Sequence, residues 1–321
     1  MRNETTENQK RKLIILTGPT AAGKTALSIA LAKRLGGEII SADSMQIYKY
    51  MDIGSAKIKT DEMEGVPHHL IDLLEPEDTF NVVRFKQLAQ DALKGIYERN
   101  HLPVVVGGTG FYIQALLYDI DFSKEGSHDE VRQKLEASAL EHGAEFLHQR
   151  LETVDPVSAR EIHPNNKKRV IRALEFYELN GYPISVHNET ERMRSSPYDF
   201  CYFVLTDDRD ILYEKIEKRV DQMMDEGLLD EVRALKDRGC HRQMVSMQGL
   251  GYKELLDYLD GACTLKEAIA RIKRDTRHFA KRQLTWFHRE RDVIWISKKE
   301  FDRDDEKILA YMEEWIGRLG V

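Results

Sequence analysis

The eight residues Gly18-Pro19-Thr20-Ala21-Ala22-Gly23-Lys24-Thr25 constrain this 321-residue chain more than any other stretch. They fit the pattern GxxxxGK[ST] in full. Lys12–Thr17 reads as a buried strand running into them, and Ala26, Ile29, Ala30 and Lys33 follow at helical spacing up to the Gly36-Gly37 pair. Strand, glycine loop and helix in that order are what a phosphate site requires. Glycines let backbone N–H groups converge on phosphate oxygens, and the helix N-terminus adds positive potential. Lys24 supplies a neutralising charge, and the Thr25 hydroxyl is a candidate Mg²⁺ ligand. An ordinary glycine turn before a helix is the bland alternative, disfavoured by the full match and its context. A diphosphate or triphosphate ligand is expected.

Glu38–Ser41 and Leu102–Val106 read as further strands, the latter ending at Gly107-Gly108. Strands alternating with helices predict a parallel sheet covered on both faces. The fold class is α/β: a P-loop NTPase-like parallel-sheet core with a helical insertion domain and a helical C-terminal region. Core is expected over residues 12–120 and again over 200–321. The insertion, 121–199, has helix signals at Ser127-x-x-Glu130 (a capping box), Asp155-Pro156, Pro164 and Gly181-Tyr182-Pro183. Cys201–Leu205 returns as a strand, then a helix in which Ile216, Val220 and Met223 share a face.

Several classes are excluded. The longest apolar runs fall far short of the roughly 18 residues of a spanning helix. No membrane partner is expected. Three cysteines without CxxC spacing (Cys201, Cys240, Cys263) form neither a disulfide framework nor a zinc cluster and suit a reducing cytoplasm. Residues 1–12 carry Glu4 and Glu7, unlike a secretory or transit segment, and read as a frayed tail. A GTPase would need Asn-Lys-x-Asp, but Asn166-Lys167 continues as Lys168-Arg169. An ATPase motor would need an apolar strand ending in Asp, where Val104–Val106 ends in Gly107-Gly108-Thr109.

Asp43 follows a short strand expected beside the phosphate-loop strand. Ligands of such sheets bind at the carboxyl ends of strands, so Asp43 is a candidate general base, with a turn or cap role as the alternative. Gly107-Gly108-Thr109-Gly110 offers a flexible backbone and one hydroxyl over the same crevice. His68 and His69 follow Pro67 in an apparent loop, with packing or surface roles expected. The formal charge of −7 conceals segregation: Lys266–Arg291 holds nine Lys/Arg against three acids, and Ile162–Leu174 has Lys167, Lys168, Arg169 and Arg172 without an acid. Such segments suggest a face that meets a polyanion, the alternative being solvated helix surface. Phe279, Trp286 and Phe287 within the first segment read as core in preference to base-stacking platforms.

Taken with the phosphate loop, several strings resemble the bacterial-type tRNA dimethylallyltransferase (isopentenyltransferase) family. They are Asp43-Ser44-Met45-Gln46-Ile47-Tyr48, Met51–Lys57, Gly107–Tyr112, Arg172-Ala173-Leu174-Glu175, Gln248-Gly249-Leu250-Gly251-Tyr252-Lys253 and Ala280–Phe287 with Thr276-Arg277. The likeness runs from about residue 12 to 296. Phe111 stands where Leu is commoner, and a eukaryotic-type zinc finger is absent. The family transfers a dimethylallyl group from dimethylallyl diphosphate to N6 of adenosine 37 in tRNAs reading codons that start with U.

The resemblance implies that Gly18–Thr25 and Arg219 hold the donor's diphosphate with Mg²⁺ on Thr25, and that Asp43 is the base with Thr109 beside the adenosine. It implies tRNA contacts at Asp43, Ser44, Met45, Gln46, Thr109, Lys168, Arg169, Val170, Ile171, Arg172, Gln248, Gly251, Tyr252 and Lys253, with the insertion gripping the anticodon stem-loop. A monomer is expected. A small-molecule kinase using ATP explains the phosphate loop and Asp43 equally well but not the basic segments. A non-catalytic RNA-binding protein explains those segments and leaves Asp43 without purpose.

Overall fold

The structure, a computed structural model, describes residues 10–122 and 129–320. Most of the predicted tail, and Ser127 of the proposed capping box, lie outside the described residues. The chain runs β1 (Arg11–Thr17), α1 (Lys24–Leu35), β2 (Gly37–Ser41), β3 (His68–His69), α2 (Val82–Glu98), β4 (Leu102–Gly107) and α3 (Gly110–Leu117). Five helices follow: α4 (Asp129–Glu141), α5 (Ala144–Val154), α6 (Pro156–Glu161), α7 (Lys167–Asn180) and α8 (Ile184–Arg192). Then come β5 (Tyr198–Thr206), α9 (Arg209–Asp225), α10 (Leu228–Asp237), α11 (Tyr252–Leu259), α12 (Leu265–Phe287), β6 (Val293–Ser297) and α13 (Asp305–Gly317).

The six strands form one sheet in the order β3-β2-β4-β1-β5-β6, every pair parallel. Its centre is continuously apolar because helices cover both faces. Leu13, Ile14, Ile15 and Leu16 are at most 1% exposed, as are Val104 and Val105 beside them. Helix α1 packs Leu27, Leu31 and Ala32 into the same core and ends at Gly36, whose N–H donates to the Ala32 carbonyl. Three expectations are corrected. Strand β2 does not adjoin the phosphate-loop strand, since β4 lies between them, pairing Val104 with Ile14 on one side and Ile39 on the other. His68 and His69 form a short edge strand, not a loop, and the C-terminal region contributes strand β6 as well as helices.

Two compact units emerge. One comprises the described residues up to Leu116 and from Pro197 onward; the other is Leu117–Ser196. The second unit is helical and closes on Leu135, Leu147, Leu151, Val170, Ala173 and Leu174. Asp155 caps α6 there, accepting from the Ser158 N–H and hydroxyl and from the N–H and hydroxyl of Ser185. Pro156 occupies the first helical turn, where its missing N–H costs nothing.

At the N-terminal end of β2, Glu38 is buried, its side chain 2% exposed. Arg99 donates to both its oxygens at 2.8 and 2.7 Å, and His69 and His101 each approach one oxygen at 2.6 Å. Arg99 above all, helped by the two imidazoles, outweighs burial and lowers the Glu38 pKa from 4.5 to about 2. Because the folded state prefers the ionised form, this contribution is complete above about pH 4.5 and is lost as pH falls toward 2. That gap would correspond to about 3 kcal/mol unscreened, and solvent around the half-exposed Arg99 and His101 reduces it to roughly 1–2 kcal/mol. Glu38→Gln is expected to lower unfolding free energy at pH 7 by about this amount and to flatten its acid dependence. Urea unfolding between pH 7 and 3 checks it, and an unchanged midpoint at pH 7 would contradict it.

Candidate active site

The C-terminal ends of β1, β2 and β4 carry three chain turns to one edge of the sheet. After β1 comes the phosphate loop. Gly18 has φ +148°, and a Cβ there would lie 2.2 Å from the Leu205 carbonyl oxygen of β5, so only glycine lets the loop leave the sheet along this path. The Lys24 ammonium donates to the carbonyls of Gly18 (3.0 Å) and Pro19 (2.8 Å), which hold it inside the loop. Gly23 precedes α1 without a side-chain cap, so the first-turn amides face the loop interior as anion donors.

After β2, Asp43 forms a turn: one oxygen, Oδ1, accepts from Met45 N–H (2.8 Å) and Gln46 N–H (3.3 Å). The turn occupies Oδ1 of Asp43 and leaves Oδ2 open to other chemistry. Gln46 accepts from the Ser41 hydroxyl and donates to the carbonyls of Ser55 and Ala56, which fixes the segment behind Asp43. After β4, Thr109 N–H donates to the Ala42 carbonyl at 3.3 Å, and the Thr17 hydroxyl donates to the Gly107 carbonyl at 2.7 Å.

These turns open on one cavity of about 590 Å³. Thr20, Lys24 and Thr25 line it from the loop, Asp43, Ser44, Met45 and Gln46 from the second turn, and Thr109 from the third. Arg219 of α9 enters beside the apolar side chains of Ile216, Val220 and Met223, and α12 adds Ile272, Phe279 and Gln283. Gln248, Gly251 and Lys253 complete the wall. Burial, with the charge of Arg219, lowers the Lys24 pKa from 10.5 to about 8, opposed by Asp43. Arg219 is itself pushed down by burial against the pull of Asp43 and Glu226. Lys24 and Arg219, with Lys253 and Arg282 further along the wall, thus face the single carboxylate of Asp43 in a largely apolar chamber, an arrangement that favours an anionic ligand.

Among the described residues no group of three or more His, Cys, Asp or Glu forms a metal cluster. Mg²⁺ does not need one, because it takes one or two protein oxygens and completes its octahedron with phosphate and water. The Thr25 hydroxyl and the Asp43 carboxylate, lining one cavity, suit that ion.

Other expected residues fall elsewhere. Tyr252 is fully buried, its hydroxyl donating to Glu231 at 2.7 Å. Glu231 also accepts the N–H groups of Asp52, Ile53 and Gly54, so Tyr252 braces the 52–54 loop. In the helical unit Lys168 and Arg169 are exposed on α7 and Arg172 is half-buried, whereas Val170 and Ile171 are 1% and 5% exposed. The side chains of Val170, Ile171 and Tyr252 are therefore packing residues, which corrects their expected direct contact with RNA. The basic run on α12 is also less open than its count suggests. Arg271 faces Asp257 (3.8 Å), Lys273 pairs with Asp221 (2.6 Å), Arg274 with Asp275 (2.8 Å) and Arg277 with Glu217. Lys281 and Arg282 remain exposed, the latter 5.8 Å from the Phe279 ring. Phe287 is core and Trp286 meets Phe111 edge-on at 6.0 Å, but Phe279 lines the cavity.

A phosphate loop, a carboxylate and a hydroxyl around one chamber at the end of a parallel sheet place the chain in the P-loop class of enzymes. The family model described as IPP transferase matches residues 46–290, and that of isopentenyl transferase matches 11–74. The chain is 59% identical over 292 residues to the tRNA dimethylallyltransferase of Lachnoclostridium phytofermentans, spanning 91% of this chain and 93% of the relative. To the enzyme of that name from Acetivibrio thermocellus it is 49% identical over 309 residues, 96% and 98% of the two chains. The full-length tRNA isopentenylpyrophosphate transferase of Bacillus halodurans superposes with a TM-score of 0.73 at 45% identity, covering 97% of this chain and 98% of that one. A eukaryotic dimethylallyltransferase, solved as snapshots of its action on tRNA, superposes with a TM-score of 0.80 at 28% identity over 96% and 80%. The chain belongs to the tRNA dimethylallyltransferase family and is a prenyltransferase.

The Lys24 pKa carries a pH dependence. Lysine is cationic below its pKa, so diphosphate affinity is expected to hold up to about pH 8 and decline above it. Calorimetric titration of dimethylallyl diphosphate from pH 6.5 to 10 checks this. In Lys24→Arg the decline is expected to vanish from that range, because guanidinium stays charged. An alkaline limb unchanged in that variant would contradict the assignment.

Proposed function

We propose that this enzyme transfers a dimethylallyl group from dimethylallyl diphosphate to N6 of adenosine 37 in tRNAs that read codons starting with U. Family membership supports the reaction class, and the observation that carries the residue roles is that Lys24, Thr25, Asp43, Thr109 and Arg219 line one cavity. An exocyclic adenine amine is a weak nucleophile, since its lone pair is delocalised into the ring. Leaving-group departure and close orientation must therefore supply the rate.

In the proposed step N6 forms a bond to C1 of the prenyl group as the C1–O bond breaks, and the bonding pair leaves with pyrophosphate. Charge grows on the departing diphosphate, where Lys24, Arg219 and the first-turn amides of α1 stabilise it. Mg²⁺, held by Thr25, would neutralise phosphate charge. Asp43 takes the N6 proton through Oδ2 while Oδ1 stays in its turn. Thr109, fixed through the Ala42 carbonyl, sits where it can orient the adenosine. Ile216, Val220, Met223 and Phe279 offer an apolar wall to the five-carbon chain and exclude water that would compete for it.

The acceptor base must leave its stack, which is cheapest in an RNA loop. We assign tRNA contacts to Ser44, Met45, Gln46, Gln248, Gly251 and Lys253 at the cavity and to Lys168, Arg169 and Arg172 on α7. The kinase reading is not favoured, since the relatives are prenyltransferases. No helix among the described residues is long and apolar enough to cross a membrane. A monomer acting in the cytoplasm on tRNA completes the proposal.

Unmodified tRNA incubated with labelled dimethylallyl diphosphate is expected to take up label. Asp43→Asn keeps a turn-forming oxygen and lacks the base, so turnover should fall by ~10²–10⁴ with donor and tRNA affinities and melting temperature little changed. Equal loss of binding would show Asp43 to be a turn residue only. Label passing from ATP to a small acceptor, with none from the prenyl donor to tRNA, would overturn the proposal.

A further inference from the structure

Gln283, near the C-terminal end of α12, is 6% exposed and uses both ends of its amide. Its Oε1 accepts the Thr20 N–H of the phosphate loop at 2.9 Å, and its Nε2 donates to the Gly108 carbonyl at 3.0 Å. A backbone N–H can meet only the oxygen and a carbonyl only the nitrogen, so the partners themselves fix which way the amide points. The contact with the third turn is close: a Cβ at Gly108 would lie 2.2 Å from Gln283 Nε2. The side chain therefore spans two turns that no strand pairing links directly at these residues, joining the loop assigned to the donor with the turn that carries Thr109.

We propose that Gln283 is a positioning residue that ties the phosphate loop to the Gly107–Thr109 turn, so that seating a diphosphate in the loop sets the place of Thr109 and of the acceptor base. This rests on the roles given above to the loop and to Thr109. The bridge is short and part-buried at the chamber wall, and a shift of the loop on seating phosphate is passed through this amide to the Gly108 carbonyl. Donor occupancy then favours acceptor binding, and by linkage the reverse holds to the same factor. Glycine at 108 belongs to the same device, because a methyl group there would push the amide away.

The test uses the full chain in two variants. Gln283→Met keeps length and loses both bonds. Gln283→Glu keeps the acceptor for Thr20 and, as a carboxylate, loses the donor to Gly108. Hydrogen exchange with and without inorganic pyrophosphate and Mg²⁺ is read separately on peptides covering 18–25 and 106–112. The wild-type protein is expected to gain protection in both peptides, and both variants only in 18–25. In prenyl transfer kcat should drop roughly 10–100-fold, with each single-substrate affinity within about threefold and the donor-induced tightening of tRNA binding lost. Gly108→Ala should reproduce the pattern. Protection of 106–112 that persists in Gln283→Met overturns the proposal, as does a parallel fall in melting temperature and all affinities, which marks Gln283 as packing alone. Absence of prenyl transfer by the wild-type protein strikes the proposed function instead, and the exchange experiment still decides the bridge.

Discussion

Strand β4 lies between β1 and β2, and the site depends on that parallel pairing. Its valines pair with Ile14 on one side and with Ile39 on the other, so three strands end at one edge of the sheet. Chain leaving each strand then enters the same space. The phosphate loop leaves β1, the Asp43 turn leaves β2 and the Thr109 turn leaves β4. A one-residue slip of β4 would move its turn by about 3.3 Å along the strand and separate the three turns, so the packing that stabilises the sheet also holds the chamber in register.

Around that edge, chemistry is divided between backbone and side chains. Backbone groups hold the ionisable ones: the loop carbonyls grip Lys24, and two N–H groups grip Asp43 Oδ1. Each functional group is therefore placed before any ligand arrives, which is how an enclosed site limits reorganisation during reaction. Lys24 and Arg219 face the Asp43 carboxylate in the chamber. Burial lowers the pKa of both Lys24 and Arg219, while Asp43 pulls in the other direction. A diphosphate seated there reinforces both cations.

Much of this was legible in the residues alone. GxxxxGK[ST] between an apolar run and a helical pattern marks the first turn because phosphate binding demands that local order. Strands β1, β2, β4 and β5 were readable from short β-rich runs bounded by glycine or polar residues. Strand β3 was not, because two histidines carry no periodicity and pair only through their backbone. The position of β4 was not readable either, since strand order is a long-range choice that no local pattern encodes. Charge counting marked α12 as a polyanion surface, yet several of its cations meet acids from α9 and α11 that lie far away in sequence. Tyr252 and Glu231 show the same limit, and Gln283 carried only a motif position until its two partners were seen.

The central claim is that one chamber holds the diphosphate against the loop while Asp43 Oδ2 faces the acceptor amine. A crystal structure of the protein with an unreactive thio-analogue of dimethylallyl diphosphate and an anticodon stem-loop RNA tests it most directly. The account predicts diphosphate oxygens within hydrogen-bond distance of Lys24 and Arg219, and adenine N6 about 3 Å from Asp43 Oδ2 with Oδ1 still on Met45 N–H. A diphosphate bound away from the loop, or an adenine whose N6 lies out of reach of Asp43, would contradict it.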